Sequence, residues 1–133
     1  FYGCTSLTAA PELNATTLVS HCYTYMFESC TSLTSAPELK ATTLAASCYD
    51  NMFYGCTKLS TVTMLAPSDQ ISKATRFCYN WLFNAGTDET VKSRTLKVTD
   101  EAAYTALENY LPDNWKIGAA GTTVKKEDNT EIK

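Results

Sequence analysis

The sequence predicts an α/β solenoid, a short pile of about three coils of 26–30 residues with short strands and short helical turns, ending in a C-terminal strand-helix-strand cap. Three observations predict it. Residues 1–26 and 27–52 are near-duplicates, with about two thirds of positions identical, and a third copy begins at Phe53. Apolar columns recur through the copies, as a solenoid needs, because one unit cannot bury its own face. After Gly86 the pattern stops and the composition shifts. Residues 1–86 are therefore read as the repeats and 87–133 as a capping segment with a polar tail.

The columns expected to line the core are Phe27, Phe53 and Phe83; Cys4, Cys30 and Cys56; Cys22, Cys48 and Cys78; and Leu7, Leu33 and Leu59. In the third copy Leu59, Val62 and Met64 follow L-x-x-L-x-L spacing, which turns alternate side chains of a short strand inward. Pro11 and Pro37 withhold ladder donors in the first two copies, so strands there must be very short. The segment CYDNMFYGC predicts about one helical or 3-10 turn carrying Met52 and Phe53 inward. About four extra residues near Pro67–Gln70 predict a loop, after which Cys78, Tyr79 and Phe83 restore the register.

In the C-terminal segment TLKV reads as an alternating strand. Thr99, as a hydroxyl cap before Asp100 and Glu101, predicts a helix over about Asp100–Tyr110. Pro112 ends it, Trp115 and Ile117 predict a returning strand, and the tail beyond Gly121 reads as a hairpin or a frayed end. Phe1 stands in the middle of the pattern, which predicts an upstream part or burial of that end against another molecule.

A net charge of −3 with 19% charged residues provides no footprint for nucleic acid or anionic lipid. No stretch approaches the roughly 18 consecutive apolar residues of a membrane span. His21 is the single histidine, no C-x-x-C pair occurs and no glycine-rich phosphate loop is present, so neither catalysis nor a metal or other cofactor is expected. Glu12 and Glu38 share a column, which places them about 4.8 Å apart in successive coils, but duplication alone explains their recurrence.

The expected activity is binding. One candidate surface is the hydroxyl-rich strand face of Thr8, Thr34, Ser35, Ser60, Thr61 and Thr63; the other is the tyrosine column of Tyr23, Tyr49 and Tyr79. Tyrosine supplies interface hot spots more readily than small hydroxyl residues do, and the same stripe could lie against sugar faces. The partner is read as an extracellular protein or glycan, with a structural spacer as a third reading.

The run Cys-Tyr-x-x-Met-Phe-x-x-Cys-Thr-x-Leu, at Cys22–Leu33 and again at Cys48–Leu59, resembles the BspA-like leucine-rich repeats of bacterial surface proteins, over residues 1 to about 86. The resemblance implies a secreted or cell-surface setting, a core lined by the phenylalanine, the following cysteine and the leucine, and in some members adhesion to host proteins. Proline and glutamate inside the strand segment depart from the pattern.

Six cysteines in an exported chain allow fifteen pairings. Pairing within each copy joins Cys4 with Cys22, Cys30 with Cys48 and Cys56 with Cys78. Pairing across copies joins Cys22 with Cys30 and Cys48 with Cys56. The ladder pattern favours a third reading, small buried thiols.

Overall fold

The computed structural model describes residues 1–133 and overturns the solenoid expectation. Its regular structure is one small four-stranded mixed sheet with two short helices. The strands are β1 (Thr61–Met64), β2 (Arg94–Val98), β3 (Thr122–Lys126) and β4 (Glu131–Ile132), and the helices are α1 (Ser68–Lys73) and α2 (Glu101–Leu107). The sheet order is β1-β2-β3-β4, parallel at the first two pairings and antiparallel at the last. Its register sets Val62 beside Leu96, Leu96 beside Val124 and Val124 beside Ile132, and all four are buried.

The first two copies form no strands, only isolated parallel bridges such as Ala9 with Ser35 and Ser35 with Thr61. Pro11 and Pro37 explain the interruption, since a proline can neither donate to a ladder nor leave its neighbour free. The expected helical or 3-10 turns are absent from these segments too. Every fourth residue between His21 and Asn84 in three segments has a left-handed backbone: His21, Tyr25 and Ser29; Ser47, Asn51 and Gly55; Arg76, Asn80 and Asn84. An α-helix needs consecutive right-handed residues, so these segments are successions of tight turns instead.

Their hydrogen bonding alternates. Cys22, Thr24 and Met26 donate N–H to carbonyls three residues back, at 3.2–3.3 Å, while Tyr23, Tyr25 and Phe27 donate to the carbonyls of Cys48, Asp50 and Met52 at 2.9–3.1 Å. Turn segments thus lie side by side, and Phe1, Phe27 and Phe53 have near-parallel rings with centroids 5.4 and 5.7 Å apart. Met52 and Phe53 point inward and are fully buried.

The next pairing is offset differently. Tyr49, Asn51, Phe53 and Gly55 donate to Phe77, Tyr79, Trp81 and Phe83. Left-handed positions correspond at a spacing of 26 residues between the first two segments, from Asn51 back to Tyr25, and of 29 between the next two, from Asn51 to Asn80. Matching Phe53 with Phe83 in the sequence implies 30, so the expected register is wrong by one residue. Leu82 takes the position opposite Phe53 and is buried, whereas Phe83 falls opposite Tyr54 on the outside, 50% exposed, the two rings 5.1 Å apart. The extra residues near Pro67 form α1 rather than a loop, with Ile71 buried and α1 packed on α2.

The C-terminal elements differ from the expectation in detail. Asp100, not Thr99, caps α2, accepting the Ala103 N–H at 2.8 Å, while the Thr99 hydroxyl donates to the Ala66 carbonyl at 3.4 Å. The helix passes into a 3-10 turn at Glu108–Tyr110, and a second 3-10 turn at Asp113–Trp115 replaces the expected strand. Trp115 is fully buried and donates its indole N–H to the Ala85 carbonyl at 3.0 Å. The tail is a hairpin of β3 and β4, turned through Asn129 at φ 68°.

Candidate binding surfaces and the cysteine columns

Arg94, at the start of β2, ties the C-terminal part together. Its Nε donates to the Asn114 carbonyl at 2.9 Å and to the Thr122 hydroxyl at 3.0 Å, and its two terminal nitrogens donate to the carbonyls of Gly86 (3.1 Å) and Ala120 (2.7 Å). The fork of guanidinium donors suits such a cluster of carbonyls. Nothing in the sequence marks Arg94, because its partners, the carbonyls of Gly86, Asn114 and Ala120 and the Thr122 hydroxyl, are assembled only by the fold.

The cysteine columns are core in part. Cys30, Cys48, Cys56 and Cys78 are fully buried, but Cys4 and Cys22 are exposed, contrary to expectation, because both belong to the first copy and no turn segment lies over them. Leu33 and Leu59 are fully buried and Leu7 only half-buried for the same reason. All six thiols are free. Cys30 and Cys56 donate S–H to the carbonyls of Phe1 and Phe27, each at 3.0 Å, one segment back. Burial pushes the thiol of Cys48 up to about 11 and that of Cys56 up to about 12, raises that of Cys30, and drives that of Cys78 well above its ordinary value.

Alkylation of the native protein without reductant is therefore expected to modify Cys4 and Cys22 quickly and the other four only on unfolding, because the thiolate is the reactive form. Uniform labelling of all six under native conditions would contradict it. The folded state also holds its thiol protons above the pH at which the unfolded chain releases them. Stability contributed by Cys48 and Cys56 is thus complete below about pH 8.5 and is lost as pH rises towards 11–12.

Two hydroxyls of the strand face, those of Thr34 and Ser60, are committed to the fold. Thr34 and Ser60 donate to the carbonyls of Thr8 and Thr34 at 3.5 and 3.1 Å, although Thr8, Thr34, Ser35 and Thr61 are exposed and Thr63 is half-buried. A shallow polar groove adjoins this face at Thr34, Lys58, Ser60 and Lys92. Glu12 is paired with Lys40, which holds its carboxyl below the usual range, so Glu12 and Glu38 do not act as a carboxylate pair. His21 is exposed, with Nδ1 2.9 Å from the Ser20 hydroxyl, and that hydroxyl donates to the Ala46 carbonyl at 3.2 Å. No carboxylate or other third group orients the exposed imidazole, so the pair lacks the arrangement of a nucleophile beside a positioned base.

The tyrosine column does not form a stripe. Tyr49 is buried, Tyr23 is half-buried with its ring parallel to that of Tyr49 at 6.0 Å, and Tyr79 is exposed. The one-residue shift accounts for the break, since Cys78 rather than Tyr79 lies opposite Tyr49. The shift also makes a site that the sequence reading missed. Tyr79, Asn80 and Phe83 meet Asn109, Tyr110 and Pro112 across a groove of about 200 Å³. Arg76 lies 4.2 Å over the Tyr79 ring and contacts the buried carboxylate of Asp50 at 3.4 Å, and that carboxylate accepts the Tyr79 N–H at 2.7 Å. Phe83 is backed by Tyr54, and the Trp81 indole N–H holds the carbonyl of Tyr110 at 3.0 Å. Both walls are thereby fixed in place.

No protein-family model, curated protein or solved structure matches the chain. The groove must be read from its own chemistry. No group of three or more potential metal ligands converges anywhere, and no helix is long and apolar enough to cross a membrane.

Proposed function

We propose that the protein is a non-catalytic binding module that engages an extracellular partner through the groove between Tyr79, Phe83 and Tyr110. The observation that carries this reading is the pair of exposed aromatic rings, each braced by a neighbour, on one rim of a neutral cleft. Aromatic side chains held in position lose little entropy on contact and dominate hot spots, whereas the other candidate face offers only small hydroxyl side chains, two of which, Thr34 and Ser60, already serve neighbouring carbonyls. A cleft lined by tyrosine, phenylalanine, asparagine and proline offers no acid-base pair, which favours binding over catalysis.

The resemblance of Cys22–Leu33 and Cys48–Leu59 to BspA-like repeats supports a secreted or cell-surface setting and an adhesive role. The test is binding of the purified chain to a panel of immobilised extracellular glycoproteins, with wild type against the double variant Tyr79→Ala, Phe83→Ala. Loss of at least tenfold in the variant, with a melting midpoint lowered by no more than about ten degrees and the chain still folded at the assay temperature, is the expected result, each truncated aromatic anchor being worth about 1–2 kcal/mol of binding. Equal binding by the two proteins would refute the site, as would loss confined to variants of Thr34 and Ser60.

A further inference from the structure

Resting on that reading, we infer that the Tyr79–Tyr110 groove is a subsite for one ring of a neutral sugar, displayed by a glycan on the partner. Size is the first argument. About 200 Å³ lies below the roughly 300–1,000 Å³ of clefts that hold drug-sized ligands, and it suits a single ring better than a peptide segment.

Charge is the second. The lining holds no acid or base, and burial together with the neighbouring Cys78 and Asp50 raises the Tyr110 hydroxyl above its ordinary range, so the wall stays neutral through physiological pH. Arg76, on the Tyr79 ring with its Nε turned to Asp50, is not among the lining residues. No charged side chain lines the groove, so a sialic or sulfated sugar gains no counter-charge within it.

Complementarity is the third. A pyranose presents a face of C–H bonds ringed by hydroxyls that each donate and accept. Aromatic rings offer electron-rich faces to the C–H bonds, and carboxamides offer a donor and an acceptor to the hydroxyls. The groove holds both kinds of group, Phe83, Tyr79 and Tyr110 with Asn80 and Asn109, and neither amide is engaged by another side chain of the protein. Asn80 sits at φ 52°, a conformation that glycine also adopts, so its amide can be removed without straining the turn.

The test is an amide and aromatic NMR titration of the full chain with neutral oligosaccharides, cellohexaose, maltohexaose and lactose, in parallel with 3′-sialyllactose. Glycoprotein binding is measured before and after enzymatic deglycosylation. The expected result is perturbation of Asn80, Phe83, Asn109 and Tyr110 by a neutral sugar, about tenfold weaker in Phe83→Ala and about threefold to tenfold weaker in Asn80→Gly. Sialyllactose should show no preference over lactose, and deglycosylated glycoprotein should no longer bind.

Binding that still needs Tyr79 and Phe83 yet survives deglycosylation, with no neutral sugar perturbing the groove, would overturn the sugar inference and leave the binding site standing. Perturbations confined to another surface, or no ligand reaching the groove at all, would overturn both.

Discussion

Replacing Gly86 with alanine is expected to destabilise the protein by about 3 kcal/mol or more, measured as a fall in the urea midpoint. Gly86 has φ +67°, which costs an alanine roughly 1–2 kcal/mol by itself. A Cβ there would also stand 2.7 Å from the Leu59 carbonyl oxygen, 2.9 Å from Arg94 Cδ and 3.2 Å from the Trp115 ring. The first of these is backbone, so relief requires the turn after the third segment to move away from the core. Arg94 and Trp115 are the side chains that tie this turn to the C-terminal elements, and movement would loosen both. Gly118→Ala is the control: its φ is +96°, but a Cβ there meets nothing within 4 Å. Gly118→Ala should therefore lose only the conformational part, and equal losses at the two sites would show that the close packing around Gly86 is not as described.

Phe53→Ala should cost about 3–5 kcal/mol, a large share of the roughly 5–15 kcal/mol by which domains are stable. The ring is fully buried, lies parallel to that of Phe27 at 5.7 Å, and belongs to the same core as Leu82 and Trp81. Its removal leaves a cavity that rigid neighbours cannot fill. The cognate change Phe83→Ala should cost about 1 kcal/mol or less, since that side chain is half exposed. The contrast is diagnostic, because the sequence alone places the two phenylalanines in one column and predicts similar penalties.

That contrast shows where the sequence was legible and where it was not. Duplication exposed the apolar columns, so Phe27, Cys30, Leu33, Cys48, Phe53, Cys56 and Leu59 are all found in the core. Alternation exposed Val62 and Met64, and the apolar face of α2 exposed Tyr104 and Leu107. What identity between copies could not convey was backbone geometry. Left-handed residues at every fourth position are occupied by His, Tyr, Ser, Asn, Arg and Gly alike, so no composition signal announced turns where helices were expected.

The same limit hid the groove. Matching Cys78 and Tyr79 to Cys48 and Tyr49 by identity forced a spacing of 30, while the hydrogen bonds run at the spacing that α1 leaves, one residue shorter. One residue of shift moves Tyr79 and Phe83 outward together and buries Phe77, Trp81 and Leu82 in their stead. The expected tyrosine stripe vanished for the reason that the groove appeared. Arg94 and Asp50 were illegible for another cause, since their partners, backbone groups together with Thr122 and Arg76, are brought near only by folding.

A nuclear Overhauser experiment on the aromatic rings tests that shift most directly. Strong contacts are predicted between Phe27 and Phe53 and between Tyr54 and Phe83, with none between Phe53 and Phe83. A strong Phe53 to Phe83 contact without one from Tyr54 would restore the thirty-residue spacing and contradict both the packing and the groove built on it.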